Sequence, residues 1–178
     1  MKRIIIVYGL ISGAIVGGLM LSTVPFLHSG TINFDNGMWV GYTTMVIALS
    51  LVFFGIKSYR DNHLNGSITF GRGFKVGILI TLIASVMYCL TWEVCYTFFL
   101  TDFSEQYSAH YMESVRNSGA SEAEIKAASE SQAKAWEMYK NPVIRFGMTM
   151  MEILPVGLII TLISAALLRR KELLPSTN

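Results

Sequence analysis

Four long apolar blocks separated by polar connections constrain this chain more than any other feature of its sequence. They run from Ile4 to Leu27, Met38 to Ile56, Val76 to Leu100 and Phe146 to Leu168. Hydrocarbon offers no partner to a peptide group, so each block must satisfy its backbone internally, which an α-helix does. Roughly 20 apolar residues in a helix cross a hydrocarbon core of about 30 Å, and all four blocks reach that length. The expected fold is an all-α integral membrane protein, one membrane domain over residues 1–178 with four transmembrane helices. With 52% hydrophobic and 15% charged residues, the chain is too apolar for a soluble domain of its size. Lys2 and Arg3 precede the first block as they would a signal peptide, but the block exceeds the usual core of about 7 to 15 residues. No small-residue cleavage site follows it, so a retained helix is expected.

Charge sets the expected orientation. Lys2, Arg3, Lys57, Arg60, Arg72, Lys75, Arg169, Arg170 and Lys171 gather on one side of the spans, against Arg116, Lys126, Lys134, Lys140 and Arg145 on the other. The positive-inside bias therefore puts both termini in the cytoplasm. Trp39 and Tyr42 at the start of the second block, and Trp92, Tyr96, Phe98 and Phe99 at the end of the third, read as aromatic belts at the outer interface. The net charge of +2 has no basic stripe behind it, which excludes a nucleic-acid partner. The lipid bilayer is the expected partner.

The connections differ in character. Residues 28–37 form a short outer loop, 57–75 a basic inner loop, and about 101–145 a polar segment expected to fold as an outer helical cap. In that segment Asn117-Ser118-Gly119 separates two helical stretches, and Ser121 with Glu124 makes a capping box in which serine and glutamate satisfy each other's backbone donors. Ile125, Ala128, Gln132, Trp136 and Tyr139 recur at steps of three and four until Asn141-Pro142 ends the pattern. This stripe either packs on a first helix around Tyr107, Tyr111 and Val115 or forms a groove for a protein partner. In the inner loop, Thr69 or Ser67 is placed to cap a helix that begins at Phe70, its aromatic and basic start lying at the headgroup level before the third span enters the bilayer. Gly9, Gly13 and Gly17 recur every fourth residue and form a close-packing face, within the bundle or between copies in a homo-oligomer.

Several motifs lead nowhere. The glycines of residues 71–77 lack both the strand and the spacing of a phosphate loop, and Asn65-Gly66-Ser67 is a glycosylation triplet on the wrong side of the membrane. Cys89 and Cys95 are about 9 Å apart along one helix, beyond the reach of a disulfide.

The stretches Gly55-Ile-Lys-Ser-Tyr-Arg, Ile68-Thr-Phe-Gly-Arg-Gly-Phe-Lys-Val-Gly, Ala84-Ser through Tyr88, Trp92-Glu93, Asp102-Phe103 and Glu152-Ile-Leu-Pro-Val-Gly-Leu-Ile-Ile, with Leu168-Arg-Arg-Lys, resemble the bacterial family known as domain of unknown function 4199. The resemblance implies a multi-pass protein of the bacterial inner membrane. It implies no activity and brings no catalytic residues.

The residues able to carry chemistry are few. Glu93 and Glu152 lie inside spans, where a charge near mid-bilayer costs roughly 3 kcal/mol on insertion scales. Counted from the block ends, both sit about 10 Å below the outer edge, so they form a candidate intramembrane polar pair. Arg145, Tyr96, His28, Thr149 and Pro155 share that half of the membrane, with Pro155 expected to free the carbonyl of Met151 and kink the helix. Three arrangements fit these residues. In the first, each glutamate is neutral or pairs with Arg145 and holds the helices in register. In the second, two close carboxylates relay a proton or ion. In the third, Glu93, Glu152 and His28 hold a metal, although no ligand spacing supports that.

No nucleophile stands beside a base, so neither catalytic residues nor a cofactor is expected. The sequence favours a non-enzymatic envelope interaction or assembly protein. The alternative is a small solute or proton-coupled ion carrier, which four spans would build only as an oligomer.

Overall fold

The computed structural model describes residues 1–169. Within them the chain forms α1 (Lys2–His28), α2 (Gly37–Leu49), α3 (Leu51–His63), α4 (Phe70–Phe98), α5 (Phe103–Asn117), α6 (Glu122–Tyr139) and α7 (Pro142–Leu168). Helices α2 and α3 make one apolar rod over Gly37–His63, interrupted only at Ser50, whose hydroxyl donates to the Ile47 carbonyl at 2.6 Å. Such back-bonding from serine competes with the regular ladder. With α1, α4 and α7 this gives four rods of 27, 27, 29 and 27 residues, each long and apolar enough to cross a membrane. Arg170 and Lys171, part of the expected basic end, lie outside the described residues.

Every rod is longer than the apolar block that announced it. Helical hydrogen bonding does not stop where hydrocarbon stops, so α3 continues past Ile56 through Lys57 and Arg60 to His63, and α4 begins at Phe70 rather than Val76. The helix expected to begin at Phe70 is α4 itself, and of the two expected caps it is Thr69 that serves, its hydroxyl accepting from the Arg72 amide. Helix α7 starts four residues early, at Pro142, because the Asn141 side chain accepts from the Val143 amide and proline suits the first helical position. It then runs unbroken through Pro155.

Helix α4 is the centre of the bundle and packs mainly on α1 and α7. Along the parallel α1–α4 contact, Gly9 faces Ile83, Gly13 faces Met87 and Gly17 faces Thr91. A Cβ on Gly9 would stand 2.7 Å from the Ile83 Cβ, so glycine is required for this approach. The three glycines are thus consumed inside the bundle. Toward the other end, Gly157 abuts Thr81 of the antiparallel α4–α7 contact, and Thr81 and Thr161 share a buried hydrogen bond of 3.1 Å. Val16, Met45, Leu49, Cys89 and Ile153 fill the core between these seams. Cys89 and Cys95 are free and buried.

Helices α5 and α6 form a hairpin between the third and fourth rods, turning at Gly119 in the left-handed region (φ +79°). The Ser121–Glu124 capping box is formed, with both reciprocal bonds present. Ile125, Ala128, Gln132, Trp136 and Tyr139 are all half-buried, so the α6 stripe faces inward. Trp136 donates to Ser108 at 2.6 Å and meets the Tyr107 ring edge-on at 5.8 Å. Tyr111 turns outward instead, and Ser108, Met112 and Val115 supply the α5 side. That rotation follows from Phe103, which opens α5 by packing on Trp92 at 5.5 Å and on Phe34 at 5.7 Å.

Candidate functional site

Polar chemistry concentrates where the hairpin meets the ends of α4 and α7. Arg145, in the first turns of α7, is buried with its side chain 7% exposed, and Glu93 of α4 is 21% exposed. Arg145 Nε donates to Glu93 Oε1 at 2.9 Å and Nη2 donates to Oε2, a planar two-toothed ion pair. The third donor, Nη1, reaches the Tyr139 carbonyl at 3.1 Å, one of the orphan carbonyls that end α6. One guanidinium therefore ties α4, α6 and α7 together.

Aromatic rings close this site. The Tyr96 ring lies 4.2 Å from the guanidinium carbon of Arg145 and that of Tyr139 5.7 Å away, both within cation–π range. Trp92 donates its indole N–H to the Tyr139 hydroxyl at 2.7 Å. Burial pushes the Tyr139 phenol up to about 12, against the opposing pull of the Trp92 bond and of Arg145. Tyr139 is thus a neutral acceptor across the physiological range.

The two glutamates do not form a pair. Counting from the apolar blocks put them at equal depth, but α7 starts earlier and α4 ends earlier than those blocks do. Glu93 lies at the level of Arg145, and Glu152 is seven residues further along α7, about 10 Å deeper. Glu152 is exposed on the outside of the bundle, within electrostatic reach of Tyr88 and Cys89, and has no hydrogen bond or ion pair among the described residues. Of the arrangements the sequence left open, pairing with Arg145 is realised, for Glu93 alone.

The other candidates are scattered. Thr149 is buried and spends its hydroxyl on the Arg145 carbonyl at 2.9 Å, which steadies the turn that carries the guanidinium. Pro155 is exposed on α7. His28 lines a cleft of about 210 Å³ with Asn33, Phe34, Asp102 and Gln106, away from Glu93. Among the described residues no three histidine, cysteine or carboxylate side chains gather as a metal site would require.

Tyr139 is the component that sequence reasoning missed as a site residue. It was visible only as the last position of an apolar stripe, six residues before an arginine at the head of a span.

The model of the family described as protein of unknown function (DUF4199) matches residues 7–170. No curated protein and no solved structure matches the chain. The match covers the four rods and the hairpin together, and the chain belongs to the DUF4199 family.

Proposed function

We propose that this chain is a non-enzymatic interaction or assembly protein of the bacterial inner membrane. It presents the α5–α6 hairpin on the outer side, with both termini in the cytoplasm. The observation that carries the reading is the three-way hold of Arg145 on Glu93, Tyr139 and, through its ring contact, Tyr96. The contacts of Arg145 fix the hairpin to the bundle. A carboxylate clamped by a guanidinium is a poor proton carrier, and it offers substrate no free group. What remains available is the hairpin's outer surface, where Glu113, Lys126, Glu130 and Lys134 are exposed.

The test is purification of the full chain from native membranes, followed by mass spectrometry of what comes with it. A partner that disappears with Glu113→Lys and Glu130→Lys but persists with Glu152→Gln is expected. Retention of every partner by the hairpin variants would sink the reading.

A second reading, a proton-coupled carrier working as an oligomer, draws on the unpartnered Glu152 within a span. Proton flux into vesicles that contain the wild type, and none with Glu152→Gln, would favour it over the first.

A further inference from the structure

Glu152 breaks an otherwise apolar surface. Met148, Met151, Pro155, Ile159 and Leu162 are exposed at steps of three and four along α7, and this is the face a span turns toward lipid. A carboxyl there, without a hydrogen-bond or ion-pair partner among the described residues, carries the cost of an unsatisfied polar group in hydrocarbon. Arg145, the nearest cation along the helix, is already committed to Glu93. The described residues leave Glu152 open to a group from outside them.

We propose that a second copy of this chain covers the Glu152 face of α7, so that Glu152 meets Glu152 of the partner subunit inside the bilayer. Two copies inserted with the same orientation are related by an axis along the membrane normal, which brings residues of identical depth together. Such an interface must be self-complementary. A neutral carboxyl carries one donor and free acceptors, so two of them satisfy each other, whereas a lysine or arginine carries donors only. The surrounding face is self-complementary as well, because the methionines flanking Glu152 meet methionines across the axis and adapt to irregular gaps. The glycine seam of α1 cannot serve, since it is filled by α4. This inference concerns a different surface from the hairpin, so its failure leaves the proposed function standing.

The experiment uses the full chain, purified and reconstituted in lipid vesicles. Met151→Cys should form a disulfide-linked dimer on mild oxidation, and Leu10→Cys on the exposed face of α1 should not; native Cys89 and Cys95 are buried and stay unreacted. Single-molecule counting should find dimers for the wild type and for Glu152→Gln, whose amide also donates and accepts. Glu152→Ala should weaken dimerisation about tenfold, the equivalent of one interhelical polar contact in a membrane. Glu152→Lys should be monomeric with its helical circular dichroism retained. A monomeric wild type, linkage through Leu10→Cys in place of Met151→Cys, or dimerisation indifferent to Glu152→Ala would each overturn the proposal.

Discussion

Arg145 and Glu93 meet fork to fork across the α4–α7 contact, 52 residues apart in the chain, with both carboxylate oxygens engaged by one guanidinium. The pair sits at the end of the bundle that bears the hairpin, with the Arg145 side chain 7% and that of Glu93 21% exposed. Its main consequence is mechanical: α6 cannot lift from the bundle without releasing the Tyr139 carbonyl from the same guanidinium.

Breaking that pair from one side should be expensive. Glu93→Gln or Arg145→Met leaves the other group without its partner, and losses of about 3 kcal/mol are expected for each. The double change should cost clearly less than the sum, because the two sites couple. Glu93→Gln combined with Glu152→Gln should instead be additive. Thermal unfolding of these variants and of Glu152→Gln alone, five in all, in one detergent is the measurement, and strong coupling between the glutamates would contradict their difference in depth.

The α1–α4 seam predicts a graded response to added methyl groups. At Gly9 the obstacle is the Ile83 Cβ, fixed to the backbone, whereas at Gly17 it is the Thr91 hydroxyl at 2.7 Å, which can turn aside by giving up its bond to the Met87 carbonyl. Gly9→Ala should destabilise by about 2 kcal/mol and Gly17→Ala by less. Gly147→Ala, with open space around the new atom, should be neutral or stabilising by up to about 1 kcal/mol, because alanine is the better helix former. Equal losses at all three positions would show that the seam does not set the effect, since helix propensity alone favours alanine.

Ser121→Ala removes the start of α6 and should cost about 1 kcal/mol of local helix stability, seen as faster hydrogen exchange over residues 122–139. The backbone and hydroxyl of Ser121 hold the Glu124 carboxyl below its usual range. A lowered folded value means that the contribution is complete above the unfolded value and is lost as pH falls through the folded one. Wild-type exchange in α6 should therefore accelerate on the acid side, and that acceleration should be much smaller in Glu124→Gln.

Orientation can be checked independently of any partner. A reporter active only outside the cytoplasm should work when fused near Gly119 and fail after Asn62. The opposite pattern would invert the assignment and place the hairpin inside the cell.

Much of this architecture was readable in local signals. The four rods follow from apolar length, the α6 start from Ser121 and Glu124, and the α4 start from Thr69, because burial in hydrocarbon and helix capping act on residues close in sequence. The inward stripe from Ile125 to Tyr139 was equally local, set by the helical period alone. Depth was not. Placing Glu93 beside Glu152 required knowing where α4 and α7 begin and end, and these ends do not coincide with those of the apolar blocks that reveal the spans. Rotation about the helix axis was also beyond local reading, since a span that is apolar on every side carries little record of which face is inward. Packing alone put Arg145 on Glu93, left Glu152 on the outside and turned Gly9, Gly13 and Gly17 toward α4, because those outcomes depend on which helix surfaces fit one another.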